Sequence, residues 1–344
     1  MDDMEFENAW FKTVDFEPEE GIRECLKETA RALKENIQRV HSVVTFLPKF
    51  VGIAMRYQLA HTKAIYQHKN RLELTDEERK DADLMAIINS DQNDIVAESE
   101  REEIGRPDRI GAFLRKNAAN TLAIMKRYDY HAEVEFLIIN MILGTWTAFE
   151  VFATDLWVAA INNGPSSLAE EVFAGAQKQP LKPEMDGVQK RETMSEEKTI
   201  RLSVLKNYGY DLRGKMGNLL KDEGKVRFDS FANTIRAYEV AFGSGVLKIL
   251  NKADKECGNI AFLEAARNAL VHRGGLADSK FREKVGYAIG SSYHHLKALG
   301  DAEKIPIRGG MVKELAESTM STSLRLIKFV DSRIGGGNVI SDGH

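Results

Sequence analysis

The chain has 344 residues, 43% hydrophobic and 29% charged, with a net charge of −4 and an isoelectric point near 6.1. This length allows two domains, and this charge excludes a broadly basic protein that coats nucleic acid, so any RNA contact must be local. The two cysteines, Cys25 and Cys257, offer neither a disulfide framework nor metal-ligand spacing. An acidic start, Met1–Glu7, is unlike a secretory signal, and we expect a cytoplasmic protein.

The N-terminal part of the chain has helical periodicity in four segments, which prolines, glycines and one capping box delimit. Thr75 and Glu78 have the spacing of a capping box, which predicts that a helix begins at Asp76. The predicted helices of this part cover residues 18–41, 48–70, 76–103 and 109–127.

A long apolar segment follows, and it predicts a helix over residues 130–162 that ends before Gly164 and Pro165. Glu150 and Asp155 interrupt it, so its longest charge-free part, residues 136–149, is 14 residues long. A bilayer needs about 20 apolar residues. We therefore interpret this segment as the central helix of a bundle and expect no membrane partner.

The C-terminal part begins with a glycine- and proline-rich excursion over residues 164–194, in which we expect one short helix near 167–175. Helical pattern then returns, and no set of strands that could form a sheet is visible. The predicted helices cover residues 195–208, 211–221, 228–250, 259–273, 279–299 and 311–334, and residues 336–344 form a flexible tail. The fold class predicted from these patterns is all-α.

The segment that carries chemistry is Arg267-Asn-Ala-Leu-Val-His-Arg-Gly-Gly275, at the predicted end of a helix. Arg267 is a permanent cation, His272 exchanges protons near neutral pH, and Asn268 offers an amide. Cleavage of RNA without a metal needs such groups. The 2′-hydroxyl must lose a proton, the leaving 5′-oxygen must gain one, and the phosphoryl group between them must be stabilised.

This segment resembles the signature of the HEPN superfamily, an arginine, a polar residue and a histidine after four intervening positions, here Arg267, Asn268 and His272. A weaker likeness extends to the aromatic-rich helix at 146–157 and to residues 274–278. The resemblance implies that residues 126–335 form a HEPN-like up-and-down helical bundle with insertions. It leaves residues 1–125 as an N-terminal helical domain of unknown role.

The resemblance also implies an activity, that of a metal-independent RNA endonuclease acting as a toxin or an antiviral (phage-defence) effector. Such an enzyme uses no cofactor and leaves a 2′,3′-cyclic phosphate. Arg267 would stabilise the scissile phosphate, His272 would shuttle protons, and Asn268 would position the histidine or the ribose. The implied partners are RNA, a second copy of the chain in a two-fold homodimer, and a protein partner such as an antitoxin.

Two further residues are candidates for supporting roles. Glu150 lies in an apolar helix, where an unpaired carboxylate is costly, so it could orient Arg267 or His272. Asp155 is expected to emerge at the bundle surface instead. Arg273 follows the histidine and is the best placed of the neighbouring cations to touch a phosphate. Other interpretations stay open. His272 could have only a structural role, capping the end of its helix. The whole chain could be a non-catalytic HEPN-like module that binds RNA, nucleotide or protein, or a plain helical scaffold in which residues 1–125 cover the motif.

Metal chemistry finds little support in the sequence. His294 and His295 are adjacent, so on a helix they point about 100° apart, and no carboxylate lies at i+4 spacing from either. A structural role for this pair and the absence of a metal site are the predictions that follow.

Overall fold

A computed structural model describes residues 17–18, 20–104, 131–165, 168–170, 172, 202–209, 211–224 and 226–335. Within these ranges the secondary structure is helical, and the β-type pairing is limited to one isolated antiparallel bridge between Leu276 and Lys304. The predicted all-α fold class is confirmed.

The α-helices of the described residues are α1 (Glu24–Lys69), α2 (Ala82–Ile104), α3 (His131–Asn163), α4 (Leu202–Asn207), α5 (Met216–Asp222), α6 (Phe231–Phe242), α7 (Lys255–Arg273), α8 (Ser279–Tyr287) and α9 (Gly309–Ile334). Short 3₁₀ turns lie at Glu78–Lys80, Ser244–Lys248 and His294–Ala298.

The predicted break between the first two helices is wrong, because α1 runs through Pro48 as one helix of 46 residues. A proline inside a helix removes one backbone donor and crowds the preceding turn. Apolar side chains are buried on both sides of it, Ile37 and Val40 before and Ala60 and Ala64 after. Their packing offsets the local loss, which is information that the sequence around residue 48 does not contain.

The predicted capping box forms, but it begins only a single 3₁₀ turn. The Thr75 backbone N–H donates to Glu78 Oε2 at 2.9 Å, and the Glu78 N–H donates to Thr75 Oγ1 at 3.3 Å. Asp81 then accepts from the N–H groups of Asp83 and Leu84, each at 3.1 Å. A second N-terminal cap therefore starts α2 at Ala82, six residues after the predicted start.

The chain forms two compact units. The described residues of the first unit are 41–104, 131–138 and 307–311, and its hydrophobic cluster joins α1 to α2 through Ala64, Ile65, Leu74 and Ile88. The predicted domain boundary near residue 125, the predicted helix at 109–127, most of the excursion before residue 202 and the predicted tail lie outside the described residues. The division at residue 125 stays a prediction.

The second unit is built on α3, whose aromatic side chains Trp146, Phe149, Phe152 and Trp157 are buried. Trp157 Nε1 donates to the Ala237 carbonyl at 3.1 Å, and Tyr238 Oη donates to the Ala153 carbonyl at 2.7 Å, which fixes α6 on α3. Among the described residues, α3 contains the one segment, Val134–Asn163, long and apolar enough to cross a membrane, with a mean hydropathy of 1.6. Most of the large aromatic side chains of this segment are buried in the second unit, as expected for the central helix of a bundle.

Candidate functional site

The helix that carries the motif, α7, begins at Lys255, four residues before its predicted start, and ends at Arg273 as predicted. Its first half is enclosed by the second unit, and every residue from Cys257 to Ala266 is buried. Two buried polar side chains, Asn259 and Glu264, fix this half to its neighbours.

Asn259 ties α7 to α9 and to the loop that follows α8. Its amide nitrogen donates to Ser318 Oγ at 3.0 Å, and its oxygen accepts from Ser291 Oγ at 3.0 Å and from the Ser292 N–H at 3.1 Å. A buried amide with its partners satisfied fixes the register of the elements that meet at it. The start of α7 is therefore anchored by a specific network and not by apolar packing alone.

Glu264 ties α7 to α6 and α8. Its carboxylate accepts from the Phe231 N–H, at the start of α6, at 2.9 Å and from Lys284 Nζ at 2.6 Å. A carboxylate at a helix N-terminus also interacts favourably with the helix dipole. Lys252 lies near this pair, where burial lowers the pKa of its ammonium group while the Glu264 charge opposes that change.

The end of α7 is set by two glycines, as predicted. Gly274 and Gly275 have φ values of 62° and 83°, a backbone region that residues other than glycine disfavour. The N–H groups of both glycines donate to the Ala269 carbonyl. Backbone hydrogen bonds then join this loop to residues 302–305, with Ala277 N–H donating to Glu303 at 2.8 Å and Ile305 N–H donating to Gly275 at 2.9 Å. The helix terminus is therefore held from both sides.

Arg267 lies half-buried nearly two turns before the helix end. Its Nη1 donates to Asn268 Oδ1 at 2.9 Å, so the amide oxygen orients the arginine. The predicted role of Asn268, to position the histidine or the ribose, stays a prediction. Among the described residues, no carboxylate forms an ion pair with this guanidinium group. A half-buried cation whose charge no protein group neutralises attracts an anion from solution.

His272 is exposed in the last turn of α7, and its imidazole makes no hydrogen bond or ion pair with the part of the chain that the structure describes. In a helix, residues five apart are separated by about 140° around the axis and about 7.5 Å along it. Arg267 and His272 of one copy therefore flank the helix end rather than converge on one point. Val271, 50% exposed, and Leu276, 40% exposed, stand beside the histidine.

Arg273 is also exposed, but its Nε lies 3.3 Å from Asp278 Oδ2. Asp278 caps α8 by accepting from the Phe281 N–H at 2.7 Å. The predicted phosphate contact of Arg273 therefore has to compete with a carboxylate that is already in place. The exposed ion pair is weak, so a phosphate can displace it.

Glu150 is half-buried on α3, but within the described residues it makes no hydrogen bond or ion pair with Arg267 or His272. The predicted supporting contact does not form among the described residues. The buried carboxylate that does find partners is Glu264 of α7 itself, which accepts from the Phe231 N–H and from Lys284. Asp155 is exposed, as predicted. Partial burial raises the pKa of its carboxyl, and Lys221 opposes that shift.

Sequence reasoning missed Glu264, although the signal that singled out Glu150 was present there too. It is the one charged residue in the run from Asn259 to Ala266, and an ionised side chain in such a run requires a partner. His294 fits the structural role predicted for it, because its Nδ1 lies 3.0 Å from the Val285 carbonyl and its Nε2 lies 2.7 Å from Lys297 Nζ.

The end of α7 therefore presents a cation oriented by a neighbouring amide, Arg267, and an exposed imidazole, His272, with the exposed apolar side chains of Val271 and Leu276 nearby. Among the described residues, no group of three or more histidine, cysteine, aspartate or glutamate side chains could hold a metal ion. No family model, no curated protein and no solved structure matches this chain. The likeness to the HEPN superfamily therefore rests on the motif residues themselves.

Proposed function

We propose that the chain is a metal-independent RNA endonuclease of HEPN type, acting as a toxin or an antiviral effector in the cytoplasm. The observation that carries the proposal is that the last two turns of α7 present both an exposed His272 and a half-buried Arg267 whose guanidinium group has no carboxylate partner among the described residues. An anion-binding cation and a proton-transfer group at one helix end are what phosphodiester transesterification requires.

The proposed reaction needs no added reactant. The 2′-oxygen of the ribose loses its proton to a histidine and attacks the adjacent phosphorus. The bond from phosphorus to the 5′-oxygen breaks, and that oxygen takes a proton from a second histidine. The products are a 2′,3′-cyclic phosphate and a 5′-hydroxyl, with Arg267 neutralising the charge that develops on the phosphoryl oxygens.

A two-fold homodimer supplies the second histidine in this proposal. One copy offers one exposed imidazole, and its Arg267 points about 140° away from it around the helix. Pairing two motif helices would place the partner subunit's His272 opposite the His272 of the first subunit. Val271 and Leu276 beside the histidine provide apolar surface that a closed two-fold contact can bury.

A second candidate function, a non-catalytic module that binds a protein partner such as an antitoxin, draws on the same exposed Val271 and Leu276. Exposed apolar side chains beside charged groups are typical of protein contacts. The two functions differ in the role of His272. A nuclease needs its imidazole to transfer protons, whereas a protein-binding module needs only the surface that the side chain presents.

The deciding experiment is incubation of the purified chain with total RNA in excess EDTA, beside His272→Ala and the control His295→Ala. The proposal expects cleavage by the wild type and by the control, with cyclic-phosphate ends, and none by His272→Ala. Equal cleavage by all three proteins would remove the catalytic assignment. Cleavage that EDTA abolishes would show a metal-dependent reaction instead.

Mixing active and inactive copies tests the dimer. Wild-type protein combined with an excess of His272→Ala protein is expected to lose activity per wild-type copy, because a mixed dimer keeps only one of the two histidines that the proposed reaction needs. Light scattering at micromolar concentration measures the mass directly. A monomeric mass with full activity at high dilution would contradict the shared site while leaving the nuclease proposal standing.

A further inference from the structure

The part of α1 from residue 36 onward, together with the three residues that follow the helix, is unlike the rest of the chain in its charge. Residues 36–72 contain six lysines and arginines and three histidines but no aspartate or glutamate, in a chain whose net charge is −4. The cations are Arg39, Lys49, Arg56, Lys63, Lys69 and Arg71. Lys63 has no carboxylate three or four residues away in either direction, whereas Arg39 pairs with Glu35 just before the stretch.

One side of this stretch is fixed to α2. Ala64 and Ile65 are buried against Ile88, and His61 Nδ1 lies 2.9 Å from Gln92 Oε1. Near the end of the helix, Lys69 and Arg71 both pair with Glu78, and His68 pairs with Asp91 at 2.6 Å. Lys69 and Arg71 therefore join the end of α1 to the 3₁₀ turn at Glu78–Lys80, and His68 joins α1 to α2.

The opposite side of the same stretch is open to solvent. Met55, Leu59, Lys63 and Tyr66 follow one another at spacings of four, four and three residues, which places them in one row along the helix. Leu59 is 71% exposed, Tyr66 52% and Met55 41%, and Lys63 is exposed as well. Among the described residues no carboxylate pairs with the Lys63 ammonium group. We name these four residues the outer face of α1.

We infer that the outer face of α1 binds single-stranded RNA. A lysine without acidic neighbours attracts the phosphate backbone, and this attraction is the part of RNA binding that does not depend on sequence. An exposed tyrosine with apolar neighbours on the same row offers a surface on which bases stack. Alternation of a cation with aromatic and apolar side chains fits a strand that exposes both phosphates and bases.

Two other occupants fit the outer face less well. A membrane surface favours a helix with a broad apolar side and a separate basic side, whereas here Lys63 lies between Leu59 and Tyr66 in one row. A folded protein partner buries a wider apolar patch than three side chains provide. The inference rests on the proposed function, since it gives the RNA substrate a second contact away from His272.

The test is fluorescence anisotropy of a labelled 20-nucleotide single-stranded RNA titrated with full-length protein that carries His272→Ala, so that no cleavage intervenes. Into this background we place Lys63→Glu and Tyr66→Ala. Matched controls are Lys80→Glu, the same charge change on an exposed lysine of the same unit, and Tyr57→Ala, an exposed tyrosine on the other side of α1.

Lys63→Glu and Tyr66→Ala are each expected to weaken RNA binding about fivefold or more, with the two controls within about twofold of the background. Between 50 and 200 mM salt, Lys63→Glu is expected to reduce the slope of log affinity against log salt concentration by about 1. Thermal melting checks that all variants are folded.

Equal RNA binding by the outer-face variants and their controls would overturn the inference. Binding of the wild type to vesicles of anionic phospholipid, without binding to RNA, would also overturn it in favour of a membrane surface. Failure of the proposed function has a different signature: RNA binding that depends on Lys63 and Tyr66, in a wild-type protein that cleaves no RNA.

Discussion

The two ends of α7 belong to one helix but have opposite physical character. Its first half is buried from Cys257 to Ala266, and at Gly258 the backbone of another segment comes so close that a Cβ atom would lie 2.4 Å from Ser291 N. Its last turn carries exposed His272 and Arg273, and at Gly274 a Cβ atom would meet nothing within 4 Å.

This difference shows how a helix can expose a reactive side chain while its backbone stays fixed in position. A side chain that reacts must be reachable, and its backbone must be held within a fraction of an ångström. The buried half of α7 provides the second property through Asn259 and Glu264, and the exposed turn provides the first. Stability and activity should therefore respond to substitutions at different ends of the same helix.

The largest expected effect on stability is that of Gly258→Ala. The added methyl group would meet the backbone at Ser291 and Gly290, which cannot turn aside as a side chain can. We expect the free energy of unfolding to fall by about 3 kcal/mol, in the upper range for overpacking. Urea unfolding followed by circular dichroism measures it.

Gly274→Ala is the matched control for that substitution. It adds the same methyl group to the same helix in open space, at a φ of 62°. The expected loss is about 1 kcal/mol, from backbone strain alone. Equal losses at the two glycines would show that the two ends of α7 do not differ as the structure indicates.

Glu264→Ala should have the next largest effect. It leaves the Phe231 N–H without its acceptor and Lys284 without its partner. Because the Lys284 side chain is 35% exposed, its charge can turn to water, and most of the loss comes from the buried N–H group. We expect the free energy of unfolding to fall by about 2 kcal/mol.

Glu264→Gln separates the two contributions of that carboxylate. Its amide oxygen can still accept from the Phe231 N–H, so the variant should lose clearly less stability than Glu264→Ala. A loss as large as that of the alanine variant would assign the effect to the ion pair instead.

The contrast between Glu264 and Glu150 explains what the sequence could and could not provide. Both are acidic residues in apolar helical runs, and the sequence indicates for both that a partner is needed. Which of them finds it depends on Phe231 and Lys284, which lie 33 and 20 residues away from Glu264. Contacts between segments so distant in sequence are not encoded in local periodicity.

Features decided within a few residues were predictable. The helix stop at Gly274 and Gly275 and the capping box of Thr75 with Glu78 both appear where the sequence places them. The start of α2 was misplaced because Asp81 supplies a second local cap. The continuity of α1 through Pro48 was missed because tertiary burial on both sides decides it.

A third prediction concerns pH and the anchored half of the site. Burial alone would raise the pKa of Glu314, but hydrogen bonds from Lys255, Tyr293 and Ser292 outweigh it and lower the pKa to about 2. A carboxyl group with a depressed pKa in the folded state stabilises the fold above its unfolded value of 4.5. That contribution is lost as the pH falls from 4.5 to about 2.

Glu314→Gln should therefore be less stable than the wild type at pH 7, and the difference should shrink as the pH falls through that window. Urea midpoints measured between pH 7 and pH 2 test this, with Glu317→Gln, at an exposed position of the same helix, as the control. A difference that stays constant with pH would mean that the charge of Glu314 contributes nothing to folding.

The smallest expected effect on stability, with the largest on activity, is that of His272→Ala. Its imidazole is exposed and makes no hydrogen bond or ion pair with the described part of the chain that the substitution would break. We expect the free energy of unfolding to change by less than about 0.5 kcal/mol, as for surface substitutions generally. RNA cleavage should nevertheless be abolished, because the proposed reaction requires this group for proton transfer. Urea unfolding and the RNA assay on the same preparation make the comparison direct. A large loss of stability would place His272 among the anchoring residues, and the contrast between the two ends of α7 would then have to be abandoned.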